Sequence, residues 1–228
     1  MSLSTKRWAV RPAQWRFLLI AALLVPAEQA WAASLTVDGV TFSDELGGFV
    51  LEGVTGSGSM DDPFVVVERM TSASGGILRF RIDPAFGNRI GSLHTIGFAL
   101  IKVIENATDF TWNSFELELQ SQLGVPSGYA DGLSFGQGST VGRPFMSLEF
   151  ARVKMIDEPY DQVEFEDGKI SVGGHTTLRI VITESTPLSD AYLAQRPTRP
   201  LAAIFSRSAR REAAESSHRR RSAVTDPG

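Results

Sequence analysis

Between residues 95 and 119 the chain reads TIGFALIKVIENATDFTWNSFELEL, and its apolar positions recur with a period of two. In the first half, Ile96, Phe98, Leu100 and Ile104 share one face while Ala99, Ile101 and Val103 share the other. Apolar residues on both faces predict a strand that meets protein on both sides. The second half alternates cleanly. Phe115, Leu117 and Leu119 point one way, and Ser114, Glu116, Glu118 and Gln120 the other, which predicts one buried and one wet face. A tight connection at 106–109 is expected to join the two as the pair around which the rest packs. Burying Phe98, Ile101, Phe115 and Leu117 contributes roughly 1.5–3 kcal/mol each. Trp112, beside the connection, reads as a lid on one end of the core.

The same period runs through most of the remaining chain. Asp38-Gly39 predicts a hairpin turn between two short strands. A strand at 48–54, a Gly/Ser/Asp loop at 56–63 and a Val-rich buried strand at 64–70 follow. Residues 77–82 alternate again, with Leu78, Phe80 and Ile82 inward and Arg79 and Arg81 outward. Residues 83–92 read as loop, and 124–144 as a long Gly/Ser/Pro loop without period, a kind often reserved for function. Strand returns at 146–155. A hairpin about Asp167-Gly168 is expected within 163–172, then a strand at 176–184 and a short helix at 187–194. About nine strands with frequent turn signals predict an all-β fold, a single antiparallel β-sandwich of immunoglobulin-like or jelly-roll-like form.

Both ends differ from this body. Lys6, Arg7, Arg11 and Arg16 precede the apolar run 17–25, and Ala30-Trp31-Ala32 offers the small residues of a cleavage site, so 1–32 reads as a signal peptide. The apolar run is shorter than the roughly 20 residues a membrane span needs, and no transmembrane segment is expected in the mature chain. The sandwich domain is placed at 33–195, and 196–228, rich in Arg, Ala, Ser and Glu, reads as a basic disordered tail. Export to the periplasm or the extracellular space follows from the leader.

Net charge sharpens the division. Residues 33–195 hold 10 basic and 22 acidic residues, a net −12, whereas 196–228 hold 8 and 3, a net +5. An acidic body argues against nucleic acid or an anionic membrane as partner. Cysteine is absent, which excludes thiol chemistry, disulfides and Cys-ligated zinc.

Candidate chemistry is sparse. Glu116 and Glu118 stand two apart on one strand face, Cα atoms about 6.8 Å apart, a spacing that a glycosidase's carboxylate pair can use. Gly132-Leu133-Ser134-Phe135-Gly136 matches the G-x-S-x-G form of a nucleophile elbow, yet no strand-and-helix pattern surrounds Ser134. Trp112, with Tyr129, Asp131 and Phe135 of the long loop, are the candidate ligand-binding residues. Asp157, Glu158 and Asp161 begin the densest acidic cluster, an oxygen-rich set that suits calcium, although no EF-hand spacing is present. No other cofactor is suggested. His94 and His175 stand singly, without metal-ligand spacing.

The segment Asn106-Ala-Thr108-Asp-Phe-Thr-Trp112-Asn-Ser-Phe115-Glu-Leu-Glu118-Leu119 resembles a pattern, N-x-T-G-x-x-W-x-x-F-x-x-E-L, of small exported bacterial β-sandwich proteins of unknown activity. Residues 56–63, 86–91 and 131–139 are similar to other stretches of that family, so the likeness covers roughly 35–197. Asp109 stands where the pattern prefers Gly. The resemblance implies a β-sandwich and an exported location, and it brings no catalytic residue. The expectation is an exported, non-catalytic binding or surface- and matrix-associated module, its partner a polysaccharide or a cell-envelope protein. The alternative is a carbohydrate-active hydrolase using Glu116 and Glu118.

Overall fold

The computed structural model describes residues 32–136, 145–156 and 160–199. Among these residues thirteen strands, β1 (Ser34–Val37), β2 (Val40–Ser43), β3 (Phe49–Thr55), β4 (Phe64–Met70), β5 (Gly76–Ile82), β6 (Ile96–Asn106), β7 (Ser114–Gln120), β8 (Leu133–Phe135), β9 (Met146–Ser147), β10 (Phe150–Ile156), β11 (Gln162–Gly168), β12 (His175–Glu184) and β13 (Asp190–Thr198), make an all-β fold. The only helical piece among the described residues is the 3₁₀ turn Tyr129–Asp131, so none is long and apolar enough to cross a membrane.

The strands form two sheets. One runs β1-β2-β5-β13-β7-β11-β10, with every neighbour antiparallel; the other runs β3-β4-β6-β12-β8, with β9 added beside β12. Alternation decides which side chains lie between them. Phe42, Phe80, Leu193, Leu117 and Phe165 come from the first sheet and Phe64, Phe98, Leu100 and Ile180 from the second, all buried in one core. Phe42 meets Phe64, and Phe80 meets Phe98, edge to face across the gap at 5.3 and 5.9 Å. The arrangement is sandwich-like.

Several elements differ from the sequence reading. β6 and β7 are not partners: β6 lies between β4 and β12 in the second sheet, β7 between β13 and β11 in the first. The connection at 107–113 crosses the sandwich, which lets each strand turn its apolar face to the same core. The sheets are also not purely antiparallel, since β4 and β6 run parallel, Phe64 opposite Leu100 and Met70 opposite Asn106. The intervening β5 belongs to the other sheet, so the chain returns to the second sheet in its original direction. Asp167-Gly168 makes no hairpin; β11 ends there, and the chain runs on to an isolated bridge between Ile170 and Trp112 before turning at 172–173. Residues 187–194 hold no helix, because Ala191, Leu193 and Gln195 alternate inward as part of β13, a central strand that continues through Thr198. Arg196 to Thr198 therefore belong to the sheet and not to the tail.

Other expectations match the structure. Asp38 (φ +43) and Gly39 (φ +89) form the two-residue turn that pairs Val37 with Val40. On the outer side of β6, Ala99 is buried with Val181 under Ile90 and Met60, while Ile101 and Val103 are half-buried. The segments 1–31 and 200–228, which carry the expected leader and most of the expected tail, lie outside the described residues.

Candidate functional site

The outward side chains of the seven-stranded sheet line up in rows set by register. Arg196 of β13 faces Glu116 of β7, Glu116 faces Glu164 of β11, and Glu164 faces Lys154 of β10. Like and opposite charges so placed interact as cross-strand pairs. Arg196 closes on both β7 carboxylates. Its Nη1 contacts Glu116 Oε1, and its Nη1 and Nη2 donate to Glu118 Oε2 at 3.0 and 3.1 Å. Gln120 Nε2 adds a hydrogen bond to Glu118 Oε1 at 2.8 Å. Burial pushes the Glu118 carboxyl up, but the hydrogen bonds from Arg196 and Gln120 and the guanidinium charge outweigh it and hold the group below its ordinary value. The expected wet face of β7 is thus a neutralised one, with Glu118 8% exposed.

Beside this row opens a cleft of about 750 Å³, lined among others by Asn113, Ser114, Arg152, Glu164, Glu166 and Arg199. Ser114 Oγ donates to Glu164 Oε1 at 3.1 Å and contacts Thr198 Oγ1. Arg152 spans Glu166 and Asp167 at 3.4 and 2.9 Å. The Arg199 guanidinium lies over the Phe110 ring, 4.2 Å from its centroid. The lining carries carboxylates, hydroxyls, an amide and two guanidinium groups, and no aromatic ring. Such a surface can hydrogen-bond a polar ligand but gives a sugar ring no face to stack on.

The sequence candidates do not converge on this cleft. Trp112 is fully buried, ring against Phe115, and its indole Nε1 donates to Thr108 Oγ1 at 3.0 Å. It closes one end of the core and has no surface left for a ligand. Phe135 is likewise buried, edge to face with Phe145. Asp131 is spent on its own loop, accepting from Ser121 Oγ, Ser127 Oγ and the Leu133 N–H at 2.7, 2.8 and 3.1 Å. Tyr129 lies in the 3₁₀ turn that precedes β8. Ser134 sits within β8 opposite Thr183, its Oγ 3.4 Å from Asp161 Oδ2, and the strained strand-to-helix turn of an elbow is not formed there.

Of the proposed calcium ligands, Asp157 and Glu158 lie outside the described residues, and Asp161 is buried, its carboxylate reached by Ser134 and its backbone joined to Ser127 and Leu119. Among the described residues no three His, Asp or Glu side chains gather as a metal site. Asp61 and Asp62 are exposed at the tip of their loop, and His94 shares a 3.1 Å contact with Ser92 Oγ.

Sequence reasoning missed a polar group inside the core. Glu68 of β4 and Lys102 of β6 form an ion pair with both side chains fully buried, and Gln195 of β13 donates to the same carboxylate at 3.2 Å. The signal was present as charge at inward positions, Glu68 between Val66 and Met70 and Lys102 between Leu100 and Ile104.

Compared with protein-family models, with curated proteins and with solved structures, the chain matches none.

Proposed function

We infer that the protein is an exported, non-catalytic binding or surface-associated module built on a β-sandwich, which recognises a polar partner such as a polysaccharide or a cell-envelope protein. The observation that carries this reading is the closure of one guanidinium, Arg196, on both Glu116 and Glu118. A glycosidase needs one carboxyl kept protonated as acid and the other free as base or nucleophile. Here both carboxylates serve as ion-pair partners, and Glu118 is held ionised. The cleft over Ser114, Glu164, Glu166 and Arg152 is the favoured contact region, next to the Trp112 end that the sequence singled out. Export rests on the basic and apolar leader pattern, and the sandwich family on the Asn106–Thr108–Trp112 resemblance.

The test uses the purified full chain in a screen of polysaccharides and cell-envelope fractions, run beside chromogenic glycosides and esters. Binding that weakens at least tenfold in Glu164→Ala and Arg152→Ala, without turnover, is the expected result. Turnover of a glycoside that disappears in Glu116→Gln would overturn it.

A further inference from the structure

The interior of the sandwich holds a chemical arrangement that stability alone does not explain. Lys102 extends from the middle of β6, in the second sheet, and is fully buried. Its Nζ rests against Glu68 Oε1, and Gln195 Nε2, reaching across from β13 of the first sheet, donates to Glu68 Oε2 at 3.2 Å. The amine and the carboxamide are therefore seated on the two oxygens of one carboxylate. Beyond these contacts, Lys102 Nζ, Glu68 Oε1 and Gln195 Oε1 have no hydrogen-bond partner among the described residues. An ammonium with three donors is poorly served by one neighbour, and an isolated buried charge is costly to keep. Burial drives the Lys102 amine towards its neutral form, against the opposing pull of the Glu68 charge. A neutral, desolvated lysine is a nucleophile.

We propose that Lys102 and Gln195 become joined by an intramolecular isopeptide bond, with Glu68 relaying the proton. Glu68 takes a proton from the Lys102 ammonium, and the freed Nζ attacks Cδ of Gln195 to give a tetrahedral centre. The carboxyl then turns about its Cγ–Cδ bond, so that the protonated Oε1 faces Nε2 and passes it the proton as the Cδ–Nε2 bond breaks, while Oε2, now beside Nζ, collects the proton that Nζ sheds. The Nζ–Cδ bond forms, ammonia leaves, and nothing is oxidised or reduced. Placing the groups on a rigid scaffold provides the effective concentration that such a step requires. The carboxylate supplies the acid–base function. The product is a covalent strut from the centre of one sheet to the centre of the other, in a chain that has no cysteine to make a disulfide.

The experiment is high-resolution mass spectrometry of the purified full chain under denaturing conditions, followed by tryptic mapping. The expected intact mass is that of the residues present less one ammonia, with a branched peptide linking the β6 and β13 segments through Lys102 and Gln195. Lys102→Met should restore the full mass and remove the branched peptide. A wild-type chain at its full mass overturns the proposal, as does loss of one water in place of ammonia, or an ammonia loss that maps to any other residue. The wild-type readings decide the matter even if the variant does not fold.

Discussion

Replacing Thr108 by valine changes the corner where the chain crosses between sheets without changing its shape. Thr108 Oγ1 accepts the Trp112 indole N–H at 3.0 Å and contacts Asn106 Oδ1 at 2.6 Å, all three side chains being buried. Asn106 in turn donates to the carbonyls of Phe110 and Ile170 at 2.8 and 3.0 Å, so one small network fixes the exit of β6, the approach to β7 and the segment after β11. Valine is isosteric and leaves no cavity, which confines the loss to polar contacts. The indole N–H would be stranded at about 1–3 kcal/mol, and the lost bond to Asn106 adds about 1 kcal/mol. Exchanging hydroxyl for methyl returns at most about 0.8 kcal/mol. The net expectation is a loss of about 1–3 kcal/mol, which in a domain of this size lowers Tm by roughly 2–12 °C. Urea unfolding followed by circular dichroism and by Trp fluorescence measures it, with the slope m unchanged. Thr108→Ser keeps the hydroxyl and should recover most of the loss. A Thr108→Val protein within about 0.5 kcal/mol of wild type, the range of an ordinary surface change, would refute the role given to this network. So would a Thr108→Ser protein as unstable as Thr108→Val.

Acid should find the outer face of the seven-stranded sheet. Glu118 is held below its ordinary value of 4.5 in the folded protein, so its contribution is complete above that pH and drains away as pH falls through the folded value. Arg196→Met removes the guanidinium, leaving burial to push the carboxyl up; the variant should lose on the order of 1 kcal/mol at neutral pH and show a flatter decline of Tm below pH 4.5 than wild type. An unchanged acid limb would show that the pairing contributes nothing. Gly75 has φ +88, and a Cβ there would stand 2.0 Å from the Gln195 carbonyl oxygen, whereas Gly47, at φ +77, has open space around it. Gly47→Ala should cost only the left-handed strain of about 1–2 kcal/mol, and Gly75→Ala clearly more, because backbone must move; equal melting temperatures would contradict the close approach.

How legible all this was depends on which constraint set each element. Strands with one apolar face, such as β7 with Phe115, Leu117 and Leu119, were readable because burial on one side imposes a period of two. Pairing was not, since period two says which face is buried but not which strand lies alongside; β6 and β7, adjacent in sequence, are in different sheets. β13 was hidden for another reason. Its inward residues are Ala191, Leu193 and Gln195, a small residue, one large apolar residue and an amide, and that pattern resembles a polar helix as much as a central strand. The placement of two candidate ligand residues was hidden on a related point. An aromatic residue outside a clearly alternating strand can face solvent or the core, and both Trp112 and Phe135 face the core.

Misreading β13 has consequences for chemistry as well as for architecture. As a tail residue, Arg196 would have left Glu116 and Glu118 a bare pair on a wet face, the arrangement that makes a hydrolase thinkable. Once β13 lies between β5 and β7, register puts Arg196 opposite Glu116 and within reach of Glu118, and the pair is spent. The same alternation turns the preceding residue, Gln195, the other way, into the core and onto Glu68. One strand thus neutralises the carboxylates outside the sheet with one side chain and completes the Lys102–Glu68 group inside it with the next. The non-catalytic reading of the outer face and the isopeptide proposal for the interior therefore share a single structural premise, the register of β13. A one-residue slip would reverse both side chains, placing the guanidinium in the core and the amide in solvent. Hydrogen exchange along 190–198 tests that premise independently: as a central strand its paired amides should exchange slowly, and fast exchange there would remove the support from both.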